Sequence, residues 1–118
     1  LSKSDSFDLR SLCNPDQRIL CLPVYQEILQ GIRDEGSFRR MKSILDSAIM
    51  VDDPLDRALF GQAVGLYRLA RKQGVTVRSS IDCLIAASAV RHGLTVLHSD
   101  RDYTALAQVS ELQERSVE

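Results

Sequence analysis

The part of the chain that most constrains the fold is an apolar helix followed by an apolar strand. Residues 81–90 are almost entirely apolar and carry a single carboxylate, Asp82, near their start. Gly93 then favours a helix end, and residues 94–98 have the length and composition of a buried strand. A helix with almost no polar face must be covered by other elements, so this unit belongs inside a layered α/β core.

Length and composition restrict the chain to one domain with a single core. It has 118 residues, 44% of them hydrophobic and 26% charged, which is ordinary for a soluble globular protein. The net charge of −1 is not that of a strongly basic nucleic-acid binder, although a local basic face can coexist with it. No apolar run approaches the roughly 18 residues that span a bilayer, and no secretory leader is apparent, so we predict a cytoplasmic protein. Cys13, Cys21 and Cys83 lack CxxC spacing, which favours buried thiols over a zinc site or disulfides.

Hydrophobic periodicity predicts helices that alternate with short strands. The predicted helices cover residues 5–13, 23–33, 35–47, 54–73, 81–92 and 102–109, and the predicted strands cover residues 18–22, 48–51 and 94–98. Such alternation indicates a parallel sheet between helices, with functional sites beyond the carboxyl ends of the strands. Three short strands are few for so many helices, so we expect that a central strand is absent from this chain.

Three acidic residues, Glu27, Asp82 and Asp100, stand where predicted elements begin or end. Clustered carboxylates bind Mg²⁺ or Mn²⁺, and such ions drive phosphodiester hydrolysis. Each acid also has a purely structural interpretation. Ser79-x-x-Asp82 matches a helix capping box, Glu27 suits a solvated helix boundary, and Asp100 suits a loop. Asp102 is the better cap for the last helix, which leaves Asp100 available for another role.

Other polar residues give weaker signals. We expect His92 to bind the last carbonyl groups of its helix, and His98 to pack at a strand end rather than act as a general base. Arg78 precedes the Asp82 helix and is the best candidate for a phosphate contact. Ser99 is a candidate for orienting a water or a phosphate.

Three segments together resemble the PIN domain, and VapC-type toxins in particular. They are VYQEILQG at residues 24–31, SIDCLIAASA at residues 80–89 and GLTVLHSDRDY at residues 93–103. The resemblance extends over about residues 5–110. It implies a three-layer α/β/α fold with a central parallel sheet.

The resemblance also implies an activity, a metal and partners. It implies an Mg²⁺- or Mn²⁺-dependent endoribonuclease toxin that is neutralised by a VapB-like antitoxin and forms a homodimer. By position, Glu27, Asp82 and Asp100 would be acids of the metal cluster, and Asp102 a further ligand or a supporting residue. Ser99 occupies the position of a small hydroxyl residue in that site.

The chain departs from the family pattern at its start. Family members begin with a strand that ends in an Asp followed by a small hydroxyl residue, and Asp5-Ser6-Phe7 follows no apolar strand. We therefore expect residues 1–118 to be a single PIN-like domain that lacks roughly 15–20 N-terminal residues, about one strand and a turn. Two alternatives remain: an inactive PIN scaffold that binds protein or RNA, and an unrelated α/β protein whose acids are caps and surface residues.

Overall fold

The computed structural model describes residues 10–14 and 17–116, which form five strands and five helices. The strands are β1 (Arg10–Asn14), β2 (Gln17–Cys21), β3 (Met50–Val51), β4 (Thr95–His98) and β5 (Gln113–Ser116). The helices are α1 (Leu22–Gln30), α2 (Glu35–Asp46), α3 (Arg57–Lys72), α4 (Ser80–His92) and α5 (Arg101–Val109).

The strands form one mixed sheet in the order β3-β2-β1-β4-β5. Strand β2 pairs with β3 in parallel, as β4 does with β5, whereas β1 runs antiparallel to both β2 and β4. Four strands therefore point in the same direction and share one carboxyl edge. With its helices, the sheet forms the three-layer α/β/α fold that the sequence predicts.

The predicted helix at the start of the chain is wrong over the residues that the structure describes. We predicted a helix over residues 5–13, but residues 10–14 form β1, and residues 5–9 lie outside the described part. Leu12 pairs with Ile19 on one side and Val96 on the other, and all three side chains are buried. This row of cross-strand contacts is non-local, so helical spacing within a short segment did not reveal it.

The sheet also differs from the expected parallel arrangement at its centre. Strand β1 occupies the central position with reversed direction, between β2 and β4. Strand β5 was not predicted, because the sequence Gln-Glu-Arg-Ser has no apolar residue and shows no strand pattern. Its pairing with β4 forms the strand, from Thr95 opposite Gln113 to His98 opposite Ser116.

Helix α4 lies in the core, as its apolar sequence predicts. Every residue from 82 to 89 is buried, and α3 packs along this helix. Gly93 ends α4 in the left-handed conformation with φ of 65°, which glycine adopts without steric cost. The burial of α4 leaves Asp82 as a carboxylate inside the protein.

The predictions about cysteines can be compared directly with the structure. Cys21 and Cys83 are buried thiols, Cys13 is half-buried, and none of the three forms a disulfide. Burial raises the pKa of Cys21 to about 11, so this thiol stays protonated at neutral pH. In the described ranges, no helix combines the length and the apolar character that crossing a membrane would need.

Candidate metal centre

Asp82, Asp100 and Asp102 converge at the carboxyl end of β4. One carboxylate oxygen from each lies within 4.8 Å of the others, and we call these three residues the Asp82 cluster. Asp82 and Asp102 are in the first turns of α4 and α5, and Asp100 is the N-cap of α5. Helix N-termini carry partial positive charge, which stabilises carboxylates there. Two helix starts therefore bring the three acids together.

Asp82 is a buried side chain rather than a capping residue. It is 1% exposed, and its Oδ1 accepts a hydrogen bond of 2.8 Å from the hydroxyl of Tyr103, which is fully buried. Ser79 is the N-cap of α4, but its side chain makes no capping hydrogen bond. The capping-box interpretation of Asp82 is therefore wrong. A carboxylate taken out of water needs compensating partners, and Tyr103 is one of them.

Asp100, and not Asp102, caps α5. Its Oδ1 accepts a hydrogen bond of 2.9 Å from the backbone N–H of Asp102, so the capping role that we predicted for Asp102 is wrong. Asp102 is 2% exposed, and its Oδ2 accepts a hydrogen bond of 3.1 Å from the backbone N–H of Arg78. These hydrogen bonds leave the second carboxylate oxygen of Asp100 available to bind a cation, and they leave both Asp100 and Asp102 negatively charged.

Arg78 supplies a counter-charge to two of the three acids. Its guanidinium lies 3.6 Å from Asp100 and 3.6 Å from Asp102, and its side chain is 58% exposed. An ion pair with so much solvent access is screened and weak. Arg78 therefore places a positive charge at the rim of the site but neutralises little of the negative charge of the cluster.

The pKa of a neighbouring thiol reports the negative potential of the cluster. Burial, followed by the charges of Asp82 and Asp102, raises the pKa of Cys83 to about 11. Three carboxylates at this separation repel one another, and a divalent cation between them would remove that repulsion. The donors are all hard oxygens, which suits Mg²⁺ or Mn²⁺ and not a thiolate-preferring metal.

Glu27 is not part of the compact group, and Ser99 directly precedes one of its members in the chain. Glu27 is half-buried on α1 and is not among the acids whose oxygens lie within 4.8 Å. Its charge contributes to the raised pKa of Cys21, at the end of β2. Ser99 is half-buried in the turn between β4 and α5, directly before Asp100. The roles predicted for Glu27 and Ser99 stay predictions.

The two histidines bind carboxylates. His92 does not contact the final carbonyls of its helix as we predicted, because its Nε2 lies 3.2 Å from both carboxylate oxygens of Asp52. His98 packs its ring against Tyr103 with centroids 5.1 Å apart, which confirms a packing role. It also makes polar contacts to the backbone of Asp100, two residues along the chain, and to Glu114, and the second was missed because β5 was not predicted.

A cleft of about 380 Å³ opens beside the cluster. Arg78 and Arg101 lie in its lining with Asp102, and both arginines are exposed. The remaining lining residues are Thr76, Thr104, Ala105 and Gln108. Arginines and hydrogen-bond donors thus border the negatively charged cluster. This arrangement suits a polyanion that contacts the arginines while a metal ion at the cluster binds one of its anionic groups.

Comparison with known proteins identifies relatives over most of the chain. The PIN domain family matches residues 8–109, which include α1 and the whole Asp82 cluster. Ribonuclease VapC11 of Mycobacterium tuberculosis is 40% identical over 99 residues, which cover 82% of this chain and 72% of that protein. VapC ribonuclease Mb1587 of Mycobacterium bovis has the same identity and coverage. Ribonuclease VapC51 of M. tuberculosis is 30% identical over 84 residues, covering 71% of this chain and 60% of that protein.

Proposed function

Because this chain belongs to the PIN domain family, we propose that it is a divalent-metal-dependent endoribonuclease of the VapC type. The observation that carries the proposal is the convergence of Asp82, Asp100 and Asp102 within 4.8 Å. Several relatives are named ribonucleases, which supports RNA as the substrate. In this proposal Asp82, Asp100 and Asp102 hold Mg²⁺ or Mn²⁺, and Glu27 contributes a further acid from α1.

The residues of the chain would prepare the site before the substrate arrives. Asp82, Asp100 and Asp102 would hold a divalent ion, which would supply polarisation of the phosphodiester and activation of a water nucleophile. Tyr103 holds Asp82 through its hydroxyl, and the N–H of Asp102 holds Asp100. These contacts orient carboxylates that would otherwise rotate, so less reorganisation is needed when the ion and the phosphate bind.

The cleft beside the cluster is the proposed path of the RNA backbone. Arg78 and Arg101 would contact phosphates next to the scissile one, and Thr104 and Gln108 would add hydrogen bonds. Ser99, one residue before Asp100, would contact the substrate at the edge of the site. Such contacts to phosphate are independent of sequence and weaken with salt. We also propose that the protein acts in the cytoplasm, where a VapC-type ribonuclease would meet its RNA substrate.

Protein partners form a second part of the proposal. We infer neutralisation by a VapB-like antitoxin and assembly as a homodimer. The supporting observation is a groove of about 540 Å³, lined in part by the exposed side chains of Phe60, Val64, Tyr67 and Ile81. Apolar side chains grouped on one surface are typical of protein interfaces. A Val64→Ser, Tyr67→Ser variant should weaken association in light-scattering and pull-down measurements with the antitoxin.

The central test is RNA cleavage by the purified protein with Mn²⁺, and with excess chelator. We expect cleavage only with metal, and a loss in the Asp82→Asn, Asp100→Asn double variant larger than the roughly 100-fold limit typical of residues that only support metal ligands. A Glu35→Gln, Glu111→Gln variant removes the same charge at two exposed positions and should cleave like wild type. Full cleavage by the double Asp variant would refute the assignment.

One observation favours the inactive scaffold as a second candidate. Glu27 lies outside the compact group, so the described part of the chain brings three acids and not four to within 4.8 Å. Titration calorimetry with Mn²⁺ separates the two candidates. Heat of binding that disappears in Asp82→Asn supports the metal-dependent nuclease, whereas its absence in wild type supports the scaffold.

A further inference from the structure

His98 connects the Asp82 cluster to the edge strand of the sheet. It is the last residue of β4 and is 1% exposed. Its Nδ1 accepts a hydrogen bond of 3.0 Å from the backbone N–H of Asp100. Its Nε2 makes a short hydrogen bond with the carboxylate of Glu114 on β5. Both ring nitrogens of a buried histidine are therefore engaged, one on each side of the ring.

These two contacts define the tautomer of His98. A backbone N–H can only donate, so Nδ1 must present its lone pair to Asp100. The proton of the neutral imidazole then lies on Nε2 and is donated to Glu114. The chain of hydrogen bonds runs in one direction, from the Asp100 backbone through the ring to the Glu114 carboxylate.

The ring of His98 also reaches the partner of the most deeply buried acid. Its centroid lies 5.1 Å from that of Tyr103, whose hydroxyl donates to Asp82. His98 thus holds the backbone at Asp100 and packs against the side chain that holds Asp82. One imidazole is therefore linked to two of the three acids, to Asp100 through its backbone and to Asp82 through Tyr103.

We propose that His98 and Glu114 form a positioning pair that sets the geometry of the Asp82 cluster for a divalent cation. Neither residue belongs to the cluster, so both act through Asp100 and Tyr103. A buried polar network whose members are hydrogen-bonded favours one arrangement over its alternatives. Residues that orient metal ligands in this way typically change metal affinity by about 10- to 100-fold when they are removed. The inference rests on the proposed function, because it presumes that the cluster binds metal.

Glu114 is the better position for substitution, because its side chain is 21% exposed and its removal opens no cavity in the core. Glu114→Ala removes the acceptor for Nε2–H, whereas Glu114→Gln retains an acceptor oxygen. His98→Asn likewise retains an acceptor near the position of Nδ1. Leu112→Ala is the control, because Leu112 is buried directly before β5 and contributes packing without a polar link to the cluster.

The readouts are Mn²⁺ affinity by calorimetry, thermal stability, and the His98 tautomer by long-range ¹H–¹⁵N NMR of the metal-free protein. We expect the Nε2–H tautomer in wild type and an Mn²⁺ affinity about 10-fold or more lower in Glu114→Ala. Glu114→Gln should lie closer to wild type, whereas His98→Asn, which keeps the acceptor for Asp100 but loses the ring against Tyr103 and the donor to Glu114, should resemble Glu114→Ala. Leu112→Ala should lower the melting temperature and leave Mn²⁺ affinity within about 2-fold of wild type, since it removes only packing.

Three results would overturn the proposal, and one of them also removes the metal centre. An Nδ1–H tautomer in wild type would contradict the hydrogen-bond direction. Unchanged Mn²⁺ affinity in Glu114→Ala would reduce the pair to a structural contact while leaving the proposed nuclease intact. Wild-type protein that fails to bind Mn²⁺ would refute both. Wild-type protein that binds Mn²⁺ without cleaving RNA would refute the nuclease alone, and the affinity comparison would still test the pair.

Discussion

A group of carboxylates lies at each end of helix α4, and the two groups differ in their counter-charges. Its first turn holds Asp82 in the Asp82 cluster, and its last turn holds Arg91 and His92. The second group, which we call the Asp52 cluster, consists of Asp52, Asp56, Ser88, Arg91 and His92. The helical rise places Asp82 and Arg91 about 14 Å apart along the axis. Acidic residues near the core are therefore found in two different electrostatic environments, one at each end of this helix.

In the Asp52 cluster, the acids are matched by donors. Asp52 accepts hydrogen bonds of 2.7 Å from Ser88 and 2.8 Å from Arg91, and Arg91 also lies 3.2 Å from Asp56. Burial acts to raise the pKa of Asp52, but the hydrogen bonds from Ser88, His92 and Arg91 outweigh it and lower this pKa below its usual value. The hydrogen bond from Arg91 is the main cause of the lowered pKa of Asp56.

The Asp82 cluster differs in its counter-charge and not in its effect on nearby thiols, since the charge of Asp52 likewise adds to burial in raising the pKa of Cys21. Its negative potential adds to burial in raising the pKa of the Cys83 thiol, and its arginine, Arg78, is more than half exposed. Acidic residues alone therefore do not mark a metal centre. The acids that are matched by Arg91 and Ser88 stabilise the loop after β3, whereas those that converge with a weak counter-charge suit a cation.

Ser88→Ala should have a large effect on the stability of the Asp52 cluster and none on metal binding at the Asp82 cluster. Ser88 is 1% exposed and donates to the Asp52 carboxylate, so its loss should lower the free energy of unfolding by about 2 kcal/mol, as for other hydrogen bonds to charged groups. Urea denaturation would measure it, with the exposed Ser43→Ala as the control. Mn²⁺ affinity should not change. A parallel loss of Mn²⁺ affinity would show that the two ends of α4 are coupled.

A smaller effect is expected on the pH dependence of stability. The folded-state pKa of Asp52 lies below the unfolded value of 3.8, so its contribution to stability is present above that value and is lost as the pH falls through the folded pKa. Asp52→Asn should be less stable than wild type at neutral pH, and should lose less stability on acidification from about pH 6 to about pH 3. The Asn side chain suits this position, because φ of residue 52 is 55° and Asn tolerates the left-handed region.

Denaturation curves at several pH values would measure this difference. If wild type and Asp52→Asn lost the same free energy of unfolding on acidification, Asp52 would not contribute through its charge. Ser88→Ala should show an intermediate pH dependence, because it removes one of the hydrogen bonds that lower the pKa of Asp52.

The smallest expected effect is on KM for RNA, and it should differ between substitutions of Arg101 and Arg91. Arg101→Gln should raise KM for RNA a few-fold and reduce the slope of log affinity against log salt by about 1, because one phosphate contact is lost. Arg91→Gln should leave KM unchanged and lower the melting temperature, because Arg91 binds Asp52 and Asp56. Equal effects of the two variants on KM would contradict the assignment of the cleft to RNA.

Much of the helical framework could be predicted from the sequence, because helices depend on local periodicity and end signals. Helix α4 and its end at Gly93 follow from residues next to one another in the chain. The acids at positions 82, 100 and 102 stand at element ends and were singled out for that reason, and the structure brings them together, while their role as metal ligands stays a prediction. Strands β1 and β5 were not predicted correctly. Strand β1 depends on pairing with β2 and β4, and β5 depends on pairing with β4.

Local patterns along the chain place the helices and supply the residue types that could bind a hard cation. Tertiary structure decided which acids meet, since Asp82 lies within 4.8 Å of Asp100 and Asp102 only after α4 and α5 pack at the end of β4. It also decided which acids are matched by donors, as Ser88 lies 36 positions from Asp52 in the chain. Carboxylates look alike in a sequence, and their electrostatic environment is set by neighbours that folding brings from distant positions.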